Sequence, residues 1–331
     1  MVKSAVITGV NGQDGAWLAR HLVDIGYQVV GVVRRGATDK LWRLRYLDLL
    51  NNKMFSLASG DVTDYASMES ILKCRPDEVY NLAAQSHVGE SFKAPIATAQ
   101  TNYIGVANLL EVIAQNTPDT KFYQASTSEQ MGRGQWKEDV LMNENTSFHP
   151  RSPYGVAKVA AHYLTQNYRE AYNIFGCCGI LFNHGSELRQ DTFVTAKICK
   201  GAALIAIGEA DKLELGNLDA KRDWGYAPDY VRAMNLILQQ EKAEDFVIAT
   251  GQTRSVREFC DVAFGMFDLD YKKYVVQSDE FYRPADVGCL IGDSSKAKEK
   301  LEWEPETSFE EMVANMCEFW MDMIQKGDKY V

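Results

Sequence analysis

The stretch of sequence that decides the fold is Ser4–Gly15, which reads SAVITGVNGQDG. Its apolar first half predicts a β-strand, and the amphipathic residues Asp14–Ile25 predict a helix directly after it. The intervening glycines, spaced GxxGxxG, let the backbone turn tightly and approach a pyrophosphate at the helix N-terminus. Glycine at a strand–helix turn can also serve packing alone, but this position between a strand and a helix favours dinucleotide binding.

Strand-like and helical segments continue to alternate over the first 130 residues. Alternation of this kind predicts a parallel sheet covered by helices on both faces. The predicted strands are Ser4–Thr8, Gln28–Val33, Phe55–Ser59, Glu78–Leu82 and Phe122–Ser126, and the predicted helices between them are Asp14–Ile25, Tyr65–Cys74 and Ile96–Gln115. A long helix from Tyr154 to about Tyr172 and a buried strand at Cys177–Phe182 are predicted next.

The pattern changes after about residue 184, where helices are separated by short strands and turn-rich stretches. The predicted helices are Val194–Ile207, Asp229–Gln240, Val256–Phe267 and Phe309–Ile324. We therefore predict an α/β protein with a Rossmann-type doubly wound parallel sheet in residues 1–183, which late strands from the C-terminal part complete. Residues 184–331 are predicted to form a smaller, mostly helical substrate lobe, with a cleft between the two parts.

Composition excludes several classes of protein. The 331 residues carry 45 acidic and 35 basic side chains, a net charge of −10, without a Lys/Arg block, so a nucleic-acid surface is not expected. The longest apolar runs, such as Ala202–Ile207, are too short to cross a bilayer, and the N-terminus lacks signal-peptide anatomy. Seven cysteines show no CxxC spacing and five histidines are scattered, which favours a cytoplasmic protein with reduced thiols and no metal site.

Two arginines, Arg34 and Arg35, end the second predicted strand, where an NAD enzyme usually places an acidic residue against the ribose 2′-hydroxyl. Guanidinium groups at this point favour a 2′-phosphate and hence NADP, although a solvated basic turn would have the same sequence. Asp61-Val62, after the third strand, could reach the adenine edge. Leu82-Ala83-Ala84, after the fourth, offers small side chains against which a cofactor can lie, a feature that packing alone also explains.

Tyr154 and Lys158 form the most informative pair, because a spacing of four residues puts both side chains on one face of a helix. An unperturbed tyrosine, with a pKa of ~10, is a poor base at neutral pH. A nearby ammonium and a cationic nicotinamide would both lower that pKa, so that the phenolate could accept a hydroxyl proton. Tyrosine and lysine four apart occur by chance in many helices, but seldom downstream of a glycine-rich strand–helix turn.

The fifth predicted strand ends in Ser126-Thr127-Ser128-Glu129, just before this pair. A Ser or Thr beside the tyrosine can hydrogen-bond the reacting oxygen, and the Glu129 carboxylate can remove an acidified proton and later protonate a leaving hydroxyl. Ser/Thr followed by Glu is equally typical of a helix cap, and the residues alone leave both interpretations open. His184 and Arg189 follow a buried strand, where ligand contacts are expected.

Taken together, these segments resemble the GDP-mannose 4,6-dehydratases, a family of the extended short-chain dehydrogenase/reductase superfamily. The matching stretches run along nearly the whole chain and include Asn81–Val88, Phe122–Glu129, Asn167–Tyr172 and Phe281–Ala285. The sequence departs from the family pattern at Gly185-Ser186-Glu187, where members often carry Glu-Ser-Pro.

The resemblance implies roles for individual residues and an assembly of two or four identical chains. The implied catalytic residues are Thr127, Glu129, Tyr154 and Lys158, with Lys158 also contacting the nicotinamide ribose. The implied NADP contacts are Gly9, Val10, Asn11, Gly12, Gln13, Asp14, Asp61, Val62, Leu82, Ala83, Ala84, Gln85, Ser86, His184 and Arg189. The residues implied to hold the GDP-sugar are Asn183, Lys197, Arg222 and Arg283. No nucleic-acid or membrane partner is expected.

The implied function is an NADP-dependent dehydratase that converts GDP-mannose to GDP-4-keto-6-deoxymannose. The reaction oxidises C4, eliminates water across C5 and C6, and returns the hydride to C6. One alternative is a 4,6-dehydratase of a GDP-linked heptose, and another is a GDP-4-keto-6-deoxysugar reductase or epimerase, which would not need Glu129. A catalytically inert NADP-binding regulator would have no use for Thr127, Tyr154 and Lys158 together.

Overall fold

The computed structural model describes residues 2–36, 40–132, 140–278 and 289–327. Its centre is a seven-stranded sheet made of β1 Ser4–Thr8, β2 Gln28–Val33, β3 Phe55–Ser59, β4 Glu78–Asn81, β5 Lys121–Thr127, β6 Gly176–Leu181 and β10 Phe246–Ile248. The strands are ordered β10-β6-β5-β4-β1-β2-β3, and every neighbouring pair is parallel. The strand order reverses between β1 and β4, which is where this class of sheet binds its ligands.

Helices cover both faces of the sheet. One face carries α1 Gln13–Asp24 and α9 Ala227–Leu238, and the other carries α3 Tyr65–Leu72, α6 Gly105–Asn116 and α7 Pro153–Tyr172. Because successive side chains of a strand point to opposite faces, neighbours in sequence enter different cores. Thus Tyr80 and Tyr123 pack with α1 and α9, whereas Val79 and Phe122 pack with α3, α6 and α7. The predicted doubly wound Rossmann-type fold is confirmed.

The chain after β6 builds two smaller sheets and a helical core. β7 Asn183–Gly185, β9 Lys221–Tyr226 and β11 Thr253–Ser255 form one sheet, and β8 Leu213–Leu215 pairs with β12 Val275–Gln277. The helices α8 Val194–Ala206, α10 Val256–Gly265 and α12 Phe309–Gln325 bury their apolar faces together around Trp224 and Phe259. β10 is a strand of the central sheet and α9 packs on that sheet, although both lie after residue 184. α11 Ser295–Leu301 packs beside them, and the following Trp303 donates its indole N–H to the Asp229 carbonyl over 2.8 Å.

The predicted single helix Ile96–Gln115 consists of three pieces. α5 Pro95–Ala99 leads into a π-helical turn at Gln100–Ile104, which continues as α6. The wider turn places the buried side chain of Asn102 against the backbone of Gln85, whose N–H and C=O it hydrogen-bonds at 2.8 and 2.9 Å. Three short helices, α2 Trp42–Tyr46, α4 Val88–Lys93 and α11, were not predicted, because each is too short to show an apolar period.

Among the helices in the described part of the chain, none has the length and apolar character needed to traverse a lipid bilayer.

Candidate active site

The carboxyl ends of β1, β4, β5 and β6 meet at one edge of the central sheet, and two adjoining cavities open there. The first cavity, with a volume of ≈ 970 Å³, lies over the turn between β1 and α1. The second cavity, of ≈ 1240 Å³, lies between the ends of β5 and β6 and the helices of the C-terminal part. Asp14, Ser86 and Arg189 line both, so a ligand in one can reach a ligand in the other.

The glycine-rich turn brings the start of α1 close to the end of β4. Gly9 has φ +68°, and a Cβ there would lie 2.8 Å from the Ala83 nitrogen. A Cβ at Gly15 would lie 2.4 Å from the Gly9 carbonyl oxygen, so both positions require glycine. The N-cap of α1 is Gly12, which has no side chain that could cap the helix amides. The first cavity therefore meets a bare helix N-terminus, which suits a phosphate.

Basic side chains gather on the far side of the first cavity. Arg34, Arg35, Lys40 and Arg43 line it together with Asp61 and Val62. Arg43 donates from Nε to the Leu188 carbonyl at 2.7 Å, and burial lowers the pKa of its guanidinium to about 10. This concentration of cations in a chain with a net charge of −10 indicates an anionic ligand.

Most of the residues that the sequence analysis assigns to NADP surround the two cavities, but two do not. Val10 is fully buried in the sheet core against Gly31. The Gln85 side chain donates to the His87 carbonyl at 3.1 Å, and its backbone is held by Asn102. These two side chains line neither cavity, because both are committed to packing the edges of the site. The others are placed at the cavities, namely Gly9, Asn11, Gly12, Gln13, Asp14, Arg34, Arg35, Asp61, Val62, Leu82, Ala83, Ala84, Ser86, Lys158, His184 and Arg189.

The first two turns of α7 present Tyr154 and Lys158 to the second cavity. Ser152 caps this helix by accepting the Gly155 N–H at 3.0 Å, and Pro153 takes its first position. Lys158 donates from Nζ to the Ala125 carbonyl at 2.7 Å, and Nζ lies 5.9 Å from the centre of the Tyr154 ring. The structure thus brings the tyrosine and lysine together at the end of β5.

Burial dominates the proton affinity of this pair. Desolvation raises the pKa of Tyr154 to about 12, and the charges of Glu129 and Asp14 add to the shift, although Thr127 and Arg189 oppose it. Desolvation likewise lowers the pKa of Lys158 to about 8. The pKa of Tyr154 in the ligand-free protein therefore shifts in the opposite direction to the sequence prediction, because the loss of solvent outweighs the nearby cations.

Thr127, at the end of β5, and Glu129 lie beside Tyr154 in the second cavity. A 3₁₀ turn, Ser128–Gln130, follows β5 and holds Glu129 with 7% of its surface exposed. Thr127 lowers the pKa of Tyr154 and also caps the turn. The residue that completes the capping box is Gln130, whose Oε1 faces the Thr127 N–H at 3.4 Å. The structure therefore confirms that this segment is an N-cap region, in which the Gln130 carboxamide and not the Glu129 carboxylate completes the box.

His184 and Arg189 border the junction of the two cavities. His184 lies with Nε2 3.0 Å from Asp14 Oδ2 and Nδ1 2.8 Å from the Phe182 carbonyl, so both ring nitrogens face acceptors. Burial raises the pKa of Asp14, but His184 outweighs it, and the pKa ends well below its usual range. Arg189 packs its guanidinium 3.9 Å from the centre of the Phe193 ring, within electrostatic reach of Asp14 and Tyr154.

Three of the four residues expected to hold the sugar nucleotide line the second cavity. Asn183 follows β6, Lys197 lies on α8 and Arg222 on β9. The Asn183 Oδ1 atom is buried and has no hydrogen-bond partner among the described residues. Arg283 lies outside the described residues. No cluster of three or more His, Cys, Asp or Glu side chains suited to a metal occurs in the part of the chain that the structure describes.

Comparison with known proteins identifies the family. The family model described as GDP-mannose 4,6 dehydratase matches residues 6–316. The chain belongs to this family. It is 45% identical over 333 residues to GDP-mannose 4,6 dehydratase 2 of Arabidopsis thaliana, covering 98% of this chain and 88% of that protein. It is also 45% identical over 348 residues to the GDP-mannose 4,6-dehydratase of Yersinia enterocolitica, covering 95% and 93%.

Solved structures support the fold of this GDP-mannose 4,6-dehydratase family member. The dTDP-glucose 4,6-dehydratase of Bacillus anthracis in complex with NAD superposes with a TM-score of 0.86, covering 98% of each chain at 19% identity. The family resemblance inferred from the motifs is confirmed.

Sequence reasoning missed several cavity residues of this family member. Lys40 and Arg43 follow the second strand in a segment too short to show helical periodicity, and Lys200 lies one turn after Lys197 on α8. The spacing of Lys197 and Lys200 is the one signal that could have found a member of this set, since residues three apart share a helix face.

Proposed function

We propose that the protein is a GDP-mannose 4,6-dehydratase that uses NADP and releases GDP-4-keto-6-deoxymannose. The observation that carries this proposal is the placement of three buried side chains, Thr127, Tyr154 and Glu129, around one cavity. Oxidation of a sugar hydroxyl needs a base at that oxygen, and elimination of water needs a second group that can exchange protons with neighbouring carbons. A reductase or an epimerase needs only the first of these groups.

The first cavity fits a nicotinamide dinucleotide. Gly9 and Gly15 leave room for a close backbone approach, and the start of α1 suits the pyrophosphate. Arg34 and Arg35 would hold the 2′-phosphate that distinguishes NADP from NAD, while Lys158 would bind the nicotinamide ribose. When bound, NADP supplies the acceptor for the C4 hydride and the donor that returns it to C6.

Tyr154 takes the proton from the C4 hydroxyl of the sugar. Thr127 lies beside Tyr154 in the second cavity and would share the same substrate oxygen, which would fix the hydroxyl between the two side chains. Lys158 is anchored by the Ala125 carbonyl and keeps a positive charge 5.9 Å from the Tyr154 ring centre. This charge favours the phenolate that the reaction requires.

Glu129 performs the elimination. A ketone at C4 acidifies the hydrogen on C5, and the Glu129 carboxylate removes it as a proton. The same carboxyl group then protonates the departing C6 hydroxyl, so that water leaves and a C5–C6 double bond forms. After C6 is reduced, a solvent-derived proton returns to C5.

The proposal extends to the sugar nucleotide and the assembly. Residues 184–331 would supply the GDP-binding part, with Lys197, Arg222 and Arg283 at the nucleotide together with Asn183, and residues 1–183 would hold the cofactor. An assembly of two or four copies is supported by Val156 and Tyr163, which are exposed apolar side chains seven residues apart on α7. A cytoplasmic location is supported by the seven cysteines, which are all free thiols.

The test is to incubate the purified protein with GDP-mannose and a GDP-heptose in parallel and to identify the products by mass. GDP-mannose should lose one water. In heavy water the product should carry one deuterium at C5, and a deuterium placed at C4 of the substrate should appear at C6. A product without solvent deuterium at C5 would exclude the elimination mechanism, and preferential turnover of the heptose would change the substrate.

A further inference from the structure

We propose that Gln130 is a positioning residue that fixes the distance of Glu129 from Tyr154 and Lys158. It thereby couples oxidation of the sugar to loss of water. The inference rests on the proposed function and extends it to a residue that touches neither cavity. Gln130 is completely buried, directly after Glu129 in the 3₁₀ turn that follows β5. Its side chain connects this turn to α7.

The carboxamide of Gln130 reaches both parts of the site. Its Nε2 donates to the Lys158 carbonyl on α7 at 2.6 Å. Its Oε1 accepts from the Ser126 hydroxyl at 2.8 Å and faces the Thr127 N–H at 3.4 Å. Since a carbonyl can only accept and a backbone N–H can only donate, the orientation of the amide is fixed by its partners. One side chain thus joins the strand end that carries Thr127 to the helix that carries the lysine.

A directed series of hydrogen bonds supports this orientation. Ser126 donates to Gln130, so His162, whose Nδ1 lies 2.9 Å from the Ser126 oxygen, must donate to Ser126. The other ring nitrogen, Nε2, then accepts from Gln166 at 3.1 Å. This is the pattern of a neutral imidazole, in agreement with burial, which lowers the pKa of His162. The series runs from Gln166 through His162, Ser126 and Gln130 to the Lys158 carbonyl. In each of its hydrogen bonds the donor is on the Gln166 side.

The turn and the helix are also in close contact beside Tyr154. A Cβ at Gly155 would lie 2.9 Å from the Glu129 carbonyl oxygen, so the backbone of Glu129 rests on the first turn of α7. Together with the bond from Gln130 to Lys158, this gives two points of attachment on one helix face. Loss of the second point would let the turn pivot about the first and move the Glu129 carboxylate relative to the C5 and C6 atoms of the sugar.

Such a movement affects the two half-reactions differently. Oxidation at C4 depends on Tyr154 and Lys158, which share α7, and the Ala125 carbonyl holds the Lys158 ammonium. Elimination depends on the separation between those residues and Glu129, and a shift of about 1 Å can cost up to ~10²-fold in rate. We therefore expect loss of the Gln130 carboxamide to slow elimination more than oxidation, so that oxidised but undehydrated sugar is released.

The experiment compares Gln130→Leu with wild type and with Gln166→Leu. The control makes the same chemical change at the far end of the hydrogen-bond series, on α7 but away from the turn. Each protein is supplied with NADP and GDP-mannose, and the amounts of GDP-4-ketomannose and of GDP-4-keto-6-deoxymannose are measured by mass, with kcat and KM. Gln130→Leu should lower kcat by about 10- to 100-fold, leave KM within a few-fold, and raise the proportion of the undehydrated ketone. Gln166→Leu should keep the wild-type proportion.

The outcomes separate the inference from the proposed function. If wild type does not dehydrate GDP-mannose, the proposed function fails and this inference fails with it. If wild type dehydrates and Gln130→Leu gives the wild-type proportion of products, only the inference is overturned. If Gln130→Leu does not fold, Ser126→Ala removes one bond to the same carboxamide with little change in volume. That variant must then shift the proportion toward the undehydrated ketone, and an unchanged proportion contradicts the inference.

Discussion

At the scale of single residues, Tyr154 and Lys158 show that solvent exclusion sets proton affinity at this site more strongly than the nearest charge does. Burial raises the pKa of the phenol to about 12 and lowers the pKa of the ammonium to about 8, so both groups are pushed toward their neutral forms. A base of this kind is unavailable at neutral pH in the ligand-free protein. In the proposed mechanism it would become available when positive charge enters the cavity, as a bound oxidised nicotinamide would provide.

The first prediction follows from the raised pKa of Tyr154. Tyr154 should remain protonated in the ligand-free protein until the pH approaches about 12, since a raised pKa means that the phenol keeps its proton over a wider range. A difference ultraviolet titration of wild type against Tyr154→Phe isolates its ionisation from the other tyrosines. Addition of NADP should move that ionisation to lower pH, whereas NADPH, with an uncharged ring, should not. A phenolate signal from Tyr154 at pH 8 without ligand would refute the assignment.

Tyr154→Phe should also lose about 10²–10⁴-fold in turnover while binding GDP-mannose normally by calorimetry.

The second prediction concerns Glu129. Glu129→Gln keeps the size of the side chain but cannot exchange protons, so it should bind GDP-mannose and oxidise C4 without releasing a 4-keto-6-deoxy product. Product analysis by mass and the slow growth of reduced-cofactor absorbance measure the two steps separately. Normal dehydration by this variant would reduce Glu129 to a structural residue of the 3₁₀ turn.

The third prediction concerns cofactor choice at Arg34 and Arg35. Changing both to Ala should weaken the binding of NADP much more than that of NAD, because only NADP loses the pairing with its 2′-phosphate. Chromatography of the nucleotide released from denatured wild-type protein provides the independent check. Recovery of NAD from wild type, or equal weakening of both nucleotides in the variant, would show that the two arginines form a solvated turn.

At the scale of secondary-structure elements, periodicity located the long segments and local chemistry decided the rest. The strands of the central sheet and α7 were predictable within a few residues, because each carries a repeated apolar pattern or a proline and a cap at its start. The π turn at Gln100–Ile104 was not, since its cause is a contact between Asn102 and Gln85, which are 17 residues apart. The role of Gln130 in linking the turn to α7 was equally hidden, because it depends on a carbonyl 28 residues away in the sequence.

The fourth prediction belongs to the π turn. Asn102→Leu leaves the N–H and C=O of Gln85 without their partners in a buried site and should destabilise the protein by about 1–3 kcal/mol. It should also weaken nucleotide binding, because Ala84 and Ser86, on either side of Gln85, line both cavities. Chemical denaturation and titration with NADP measure the two effects. Thr98→Val is the matched control, since the Thr98 hydroxyl bonds only within α5 to the Ala94 carbonyl at 2.8 Å. Unchanged NADP binding in Asn102→Leu would contradict this assignment.

At the scale of the whole molecule, an acidic protein places cationic side chains around its two cavities. The net charge is −10, yet Arg34, Arg35 and Arg43 line the first cavity, and Lys197, Lys200 and Lys212 line the second. Concentrating positive charge in a cleft raises the local concentration of an anionic substrate and directs it away from the rest of the surface.

The fifth prediction tests this charge distribution. Raising the ionic strength should increase KM for GDP-mannose with a smaller effect on kcat, because the screening length falls to about 10 Å at 0.1 M salt. Lys197→Gln should raise KM and flatten its dependence on salt. Lys326→Gln removes the same charge from the end of α12, where Lys326 pairs with Asp322 on the surface, and should change neither. A salt dependence of KM that is identical in both variants would exclude a local role for Lys197.

The strand order also means that two paired strands, β6 and β10, are synthesised at different times. β6 ends at Leu181, but its outer partner β10 begins only at Phe246. A ribosome that adds ~5–20 residues per second delivers β10 roughly 3–13 seconds after β6. Over that interval the outer edge of β6 lacks its native partner. Its unpaired backbone N–H and C=O groups are a template for association with other chains. Slow codons between residues 182 and 245 should therefore lower the yield of native protein, whereas the same pause after residue 248 should be harmless.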